Sequence, residues 1–225
     1  METKTLAHST AEKLVQYIRE QQLAPGAKIP TEYELARMLG VGRNTLREAV
    51  RMLASRNILE IRQGAGTFVC EKMGVSDDPL GFTLVSDRRR LTEELMEIRC
   101  IIEPSIAALA ARNATEQELT ELEQACAAVE QCIREGQDFT AADQVFHTII
   151  ARCTHNSVMS NLIPVITRGV SVYASETEQE CVQTVRSHRR ILQAIRLRHE
   201  ADAQQAMLYH LLYNSYRRTK DSDSV

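Results

Sequence analysis

The sequence predicts a mainly α-helical protein in two parts: an N-terminal winged helix-turn-helix domain and a C-terminal all-α antiparallel helical bundle. Three observations lead there. A capping box, a Gly-containing turn, a basic helix and a Gly-tipped hairpin follow one another between Thr31 and Cys70. Beyond Leu91 the apolar residues recur at helical spacing, with almost no two-residue alternation. Between these regions, residues 71–81 lack an apolar period and carry Gly74, Ser76, Asp77, Asp78, Pro79 and Gly81, which punctuate loops. The boundaries drawn from this are a domain over 1–72, a linker over 73–88 and a second domain over 89–225. A length of 225 residues suits two modest domains at roughly 150 residues per domain.

A first helix is expected over about 10–21, with Leu14, Val15 and Ile18 inward, stopping before Pro25-Gly26. Thr31-Glu32-Tyr33-Glu34 then reads as a capping box. Its Thr hydroxyl accepts the backbone N–H three residues on, and Glu34 reaches back. Leu35, Ala36 and Leu39 give the short helix one apolar face, and Gly40-Val41-Gly42 permits a tight turn before a longer helix over 43–55. In that helix Leu46, Ala49, Val50 and Leu53 form the buried stripe, while Arg43, Arg47 and Arg51, four apart, make an exposed ridge. Asn57 tolerates the left-handed conformation that ends a helix. Residues 58–62 and 67–70 then read as two strands joined by Gln63-Gly64-Ala65-Gly66. Guanidinium groups pair with phosphates or bind guanine edges, and a small Gly-Ala-Gly tip lets backbone approach a duplex closely.

Composition narrows the class. At 44% apolar and 25% charged residues, the chain is neither disordered nor a coiled-coil rod. No stretch approaches the roughly 20 uninterrupted apolar residues of a membrane span, and Met1-Glu2-Thr3-Lys4 lacks the apolar segment of a signal peptide, so a cytoplasmic protein is expected. Six cysteines, at 70, 100, 126, 132, 153 and 181, show no paired close spacing, which suits reduced thiols rather than disulfides or a Cys-type zinc site. The net charge of −3 conceals a split: ten Lys/Arg against seven Asp/Glu in residues 1–70 give +3, leaving −6 for the remainder. An Arg ridge alone is as well a solvated face. Following a capping box and turn, and preceding a Gly-tipped hairpin, it points to nucleic acid.

These residues resemble the GntR family of bacterial transcription regulators. The family pattern Pro-(Ser/Thr)-Glu-x-Glu-Leu-Ala is matched by residues 30–36, Gly-Val-x-Arg-x-Thr-(Leu/Val)-Arg-Glu-Ala by 40–49, and Arg-x-Gly-x-Gly-Thr-Phe-Val by 62–69. The resemblance implies that Arg43, Asn44, Thr45 and Arg47 meet bases or phosphates, that Arg37 holds the DNA backbone, and that Gly64 enters the minor groove. Two positions depart from the pattern: Tyr33 stands where many members have Arg, and Gly42 where they have Ser or Thr. A different phosphate contact and a different operator would follow.

In the second region, Asn113, a capping box at Thr115–Glu118, Gly136 before Asp138, and turns at 154–156 and 198–200 divide residues 91–217 into about six helices. Pro104 and Pro164 are expected to kink or restart theirs. Polar residues then fall on inner faces. At 100° per residue Asp143 lies between Phe139, Phe146 and Ile150, with His147 at the edge of that face. His188 shares a side with Leu192 and Ile195, and His210 shares one with Ala203, Ala206 and Met207. These two histidines lie about eleven residues either side of the turn near His199, so an antiparallel pair brings them level. One carboxylate and three imidazoles suit a divalent metal, zinc first, with nickel or manganese close behind. Each His taken alone would more readily be a core histidine bonded to a carbonyl, and it is the four at one inner height that point to a metal. His8, His155 and His199 sit near ends and turns and receive no role.

This half, too, is similar to a known domain. Glu97-Ile98-Arg99, Glu103-Pro104, Asp143, Phe146-His147, Asn156, His188, Ile191, Ala194-Ile195 and His210 resemble the ligand-binding domain of the FadR subgroup, called FCD. The resemblance implies that Asp143, His147, His188 and His210 hold the ion beside an organic-acid effector, and that Arg99 contacts the acid. The expected protein is a homodimeric regulator that binds double-stranded operator DNA, a repressor released by a small organic or sugar acid, and not an enzyme. Two other readings stay open at this stage. The metal is itself the signal or only structural, or the Asp and three His activate water in a metalloenzyme, for which no general base is signalled.

Overall fold

The computed structural model describes residues 5–70, 78–171 and 178–221, so the start 1–4 and most of residues 71–81 lie outside the described residues. Two compact units divide at Pro79/Leu80. The first contains α1 (Leu6–Glu20), α2 (Glu32–Leu39), α3 (Arg43–Ser55), β1 (Leu59–Arg62) and β2 (Gly66–Val69). α1 begins a turn earlier than the expected residue 10. The Thr5 side chain accepts from the His8 N–H, and Ala7, Thr10 and Ala11 extend the stripe of Leu14 and Ile18 backwards. The Thr10 hydroxyl, which would cap a later start, instead donates to the Leu6 carbonyl at 2.7 Å.

At α2 both halves of the capping box form: Thr31 N–H donates to Glu34 at 2.8 Å, and Glu34 N–H donates to the Thr31 hydroxyl at 3.3 Å. Gly40, at φ 64°, takes the left-handed conformation that ends α2. α3 buries Leu46, Ala49, Val50 and Leu53, and Asn57 follows it at φ 48°. β1 pairs antiparallel with β2, Leu59 opposite Val69 and Arg62 opposite Gly66. Residues 27–29 add to the far side of β2, where Ile29 N–H donates to the Thr67 carbonyl and Val69 N–H to the Ala27 carbonyl. That edge is a non-local pairing, and no local pattern announces it.

The second unit opens with a short 3-10 helix, Phe82–Leu84, and continues as α4 (Arg88–Asn113), α5 (Glu116–Arg134), α6 (Thr140–Arg152), α7 (Ser157–Ser171), α8 (Glu178–Arg196) and α9 (Glu200–Asp221). Asp87 caps α4, Thr115 and Glu118 form the second capping box, and the Asn156 side chain caps α7. Glycine at 136 and non-glycines at 155 and 198 take positive φ at the turns. Of the two outcomes expected at the prolines, the restart does not occur: α4 runs unbroken through Pro104 and α7 through Pro164. In α4, buried Leu95 and Met96 before Pro104, and Ile106, Ala107, Ala110 and Ala111 after it, pack against other helices. Tertiary packing there outweighs one lost backbone hydrogen bond.

α4 is the central helix and packs against α6, α7, α8 and α9. Phe82 and Val85 lie against the same core. Gly169 on α7 permits a close approach there, because a Cβ at that position would stand 2.6 Å from a Leu95 methyl and 3.2 Å from the Phe82 ring. Gly169→Ala should therefore destabilise the bundle by about 1 kcal/mol. Overpacking of roughly 1–3 kcal/mol outweighs the gain of about 1 kcal/mol in helix propensity. A stability gain in urea denaturation would show that Leu95 and Phe82 yield freely. Cys70, Cys100, Cys126, Cys132 and Cys153 are free thiols, and burial pushes Cys126 up to about 11 and Cys153 up to about 12, so neither of these two offers a thiolate at neutral pH.

Candidate metal centre and nucleic-acid interface

α6 carries Asp143 and His147 one turn apart, α8 carries His188 and α9 carries His210. α8 and α9 are adjacent and reverse direction at Arg198, which brings the His188 and His210 rings to 4.7 Å between centroids. The His147 ring stands 5.3 Å from His210 and 5.8 Å from His188. One ligand atom from each of the four residues lies within 4.8 Å of all the others. The four sequence-predicted residues thus meet in one place. All three imidazoles are buried, while Asp143 keeps 22% of its side-chain surface. Asp143 Oδ1 is 3.2 Å from His188 Nε2, and Oδ2 is 3.8 Å from His147 Nε2.

Hydrogen bonding orients this cluster. His147 Nδ1 lies 2.5 Å from Glu103 Oε2, and His210 Nδ1 lies 2.8 Å from the Ser187 hydroxyl. The Ser187 hydroxyl donates its single hydrogen to the Thr184 carbonyl, so it accepts from His210, whose proton must sit on Nδ1. His147 Nε2 and His188 Nδ1 have no hydrogen-bond partner, and His188 Nε2 meets only the Asp143 carboxylate, off the line of a good hydrogen bond. Orphaned buried nitrogens are costly unless something fills the space between them, and a divalent cation is the group that three imidazoles and a carboxylate suit. Burial holds the His188 and His210 imidazoles below their ordinary value, partly against the pull of Asp143. Burial opposes ionisation of Asp143, but the facing imidazoles, His147 foremost, hold its carboxyl well below the usual range. An ionised Asp143 and the neutral forms that burial favours at His188 and His210 are protonation states that metal ligation requires.

Arg99, implied by the resemblance to contact an acid, is inside the bundle at 6% exposure. Its Nε donates to Glu103 Oε1 at 2.5 Å, its Nη1 lies 4.0 Å from the Met96 sulfur, and its Nη2 has no partner. Glu103 accepts from Arg99 with one oxygen and from His147 with the other. Burial alone would raise this carboxyl, yet Arg99 and His147 hold it down to about 2. In the sequence Glu103 stands out only as part of the FCD-like motif, and Ser187 not at all. The i,i+4 spacing of Arg99 and Glu103 was visible, but their joint burial was not.

In the first unit the structure places Arg43, Asn44 and Arg47 exposed and Thr45 half-buried on the first turns of α3, Arg37 exposed on α2, and Gly64 exposed at the hairpin tip at φ 74°. Arg47 donates from Nε and Nη2 to Glu32 Oε2, both at 3.2 Å. At the two departures, Tyr33 is 66% exposed, and Gly42 is the N-cap of α3 without a side-chain cap. The Arg62 guanidinium covers the Phe68 ring at 4.4 Å. Outside these clusters, His155 bonds to Glu118, His199 pairs with Asp202, and His8 lies 3.8 Å from Glu12.

Comparison with known proteins agrees with both halves. The family model described as bacterial regulatory proteins, gntR family, matches residues 6–69, and the FCD domain model matches residues 94–213. The galactonate operon transcriptional repressor of Escherichia coli strain K12 is 30% identical over 208 residues, covering 88% of this chain and 89% of the relative. The putative L-lactate dehydrogenase operon regulatory protein of the same strain is 31% identical over 231 residues, covering 93% and 85%. A solved structure titled Streptococcus agalactiae GntR superposes with a TM-score of 0.84 at 41% identity, covering 93% of this chain and 99% of that one. Among the described residues no helix is long and apolar enough to cross a membrane. With an exposed basic recognition helix beside a hairpin in one unit, a polar cluster buried in a helical bundle in the other, and matches spanning nearly its whole length, the chain belongs to the GntR family of bacterial regulatory proteins: it is a DNA-binding transcription regulator carrying an FCD domain.

Proposed function

We propose that this regulator is a cytoplasmic, homodimeric repressor whose bundle binds a divalent metal, zinc first, and beside it a small organic or sugar acid that releases operator DNA. The observation that carries the reading is the convergence of Asp143, His147, His188 and His210, with the Nε2 atoms of His147 and His188 turned toward the shared Asp143 carboxylate. A bound cation there would supply positive charge for a carboxylate, and the unpartnered Nη2 of buried Arg99 supplies more. Two relatives are named for a galactonate operon and an L-lactate dehydrogenase operon, which favours a hydroxy acid as the class. Acid binding acts on DNA only through a different affinity for the operator-competent and operator-incompetent states. A dimer follows from the few bases one recognition helix covers.

Operator binding measured on the metal-loaded chain should weaken on addition of galactonate, L-lactate or a related hydroxy acid, and the response should vanish after chelation. DNA release by chelator alone, with no acid effect, would instead make the metal the signal. Arg37, Arg43, Asn44, Thr45, Arg47 and Gly64 form the proposed DNA surface. Arg47→Ala should cost about 1–3 kcal/mol of operator affinity, roughly 5- to 150-fold, at fixed salt. The pair with Glu32 must open for this contact, but a half-exposed ion pair contributes at most about 1 kcal/mol, less than a bidentate base contact. Unchanged affinity would remove Arg47 from the interface.

A further inference from the structure

The carboxylate of Glu103 joins two groups that sequence spacing keeps far apart. Its Oε1 receives Arg99 Nε and its Oε2 receives His147 Nδ1, both at 2.5 Å, and Glu103 is 1% exposed. We propose that Glu103 is a positioning residue of the metal centre: it pins the His147 proton on Nδ1, so that the Nε2 lone pair faces Asp143, His188 and His210, and it ties the Arg99 guanidinium to the same ligand. This inference rests on the metal reading above.

The physical argument turns on hydrogen-bond polarity. An ionised carboxylate only accepts, so His147 must present an N–H to it and leave Nε2 free. Nε2 is indeed buried without a partner. A carboxylate behind an imidazole also raises its basicity toward a cation, and groups so placed govern metal affinity nearly as strongly as the ligands. Arg99 Nε donates to the other oxygen and so fixes the orientation of the Glu103 carboxylate. An amide at position 103 cannot serve both neighbours. With its oxygen toward His147, its NH2 faces the Arg99 N–H; reversed, its NH2 faces His147 and drives the proton to Nε2. Ser187 performs the corresponding service for His210 with a neutral hydroxyl, so the three imidazoles are not equivalent. His147 alone has a charged partner behind it, and His188 has none.

The test uses the full chain, stripped of metal, with zinc affinity measured by competition against a chromophoric chelator. Nitrogen-15 NMR of the imidazoles reads which nitrogen carries each proton. Wild type should show His147 protonated on Nδ1, and Glu103→Gln should bind zinc about 10- to 100-fold more weakly, with the His147 proton redistributed toward Nε2. A merely structural role would lower stability without moving that proton. Equal zinc affinity in wild type and Glu103→Gln, or an unprotonated Nδ1 in wild type, overturns the proposal and leaves the metal centre standing. His188→Ala serves as the control for the centre itself. If it binds zinc as wild type does, or wild type binds none, the metal reading falls and this inference with it. Should Glu103→Gln fail to fold, the tautomer of His147 in wild type decides.

Discussion

Replacing Phe146 by alanine should cost the bundle about 3–5 kcal/mol, the range for emptying a large aromatic site in a packed core. Phe146 has no exposed surface. Its ring stacks on His188 at 4.2 Å with 19° between planes, and it meets the His147 ring edge-on at 5.8 Å. Such aromatic pairs add about 0.5–1.5 kcal/mol beyond the area buried. The chain has no tryptophan, so far-ultraviolet circular dichroism in urea is the suitable readout. The metal-free protein should be used, because a bound ion would add its own linkage to the difference. A loss below about 1 kcal/mol would mean that neighbouring helices collapse into the vacated space, contrary to a rigid aromatic wall. Because that wall holds two of the imidazoles, zinc affinity should fall together with stability.

The second large effect is stabilisation by the metal itself. At free zinc 1,000 times its dissociation constant, the folded chain should gain about 4 kcal/mol, with the unfolding midpoint rising as zinc rises. His188→Ala should abolish the gain, each protein being compared with its own metal-free form. His188 suits this comparison because its Nδ1 has no hydrogen-bond partner and its Nε2 meets only the Asp143 carboxylate of the same cluster, at 3.2 Å. Six cysteines in the unfolded chain would also bind zinc and subtract from the effect, so manganese, which thiolates hold poorly, is the matched control. An equal gain in wild type and His188→Ala with both ions would place the bound metal elsewhere. As pH falls the gain should shrink, since protons compete for the same imidazole nitrogens.

Much of this was legible from local pattern. The capping boxes at Thr31 and Thr115 form as read because each is completed within four residues of chain. The Arg43, Arg47 and Arg51 ridge and the buried Leu46, Ala49, Val50 and Leu53 stripe follow from helical period alone. His188 and His210 come level because the turn at Arg198 lies midway between them, which counting residues reveals. Where reading failed, an earlier cap or packing against other helices decided. Thr10 serves the interior of α1 rather than its start because Thr5 caps earlier and the buried stripe begins at Ala7. Pro104 stays inside one helix because its flanks are buried against α6, α7, α8 and α9.

By itself, then, the sequence determined where the helices run, which faces they bury, that one surface is basic, and that an Asp and three His point inward, since each depends only on period, caps and turn chemistry. The tertiary structure alone decided that Arg99 is inside the bundle, that Glu103 bridges it to His147, that Ser187 orients His210, and that residues 27–29 extend the hairpin. The physical reason is burial. A charged side chain on a helix surface is solvated, and its neighbours matter little. The same side chain taken into a core must find its partners across helices, and the chain records those partners only once it is packed.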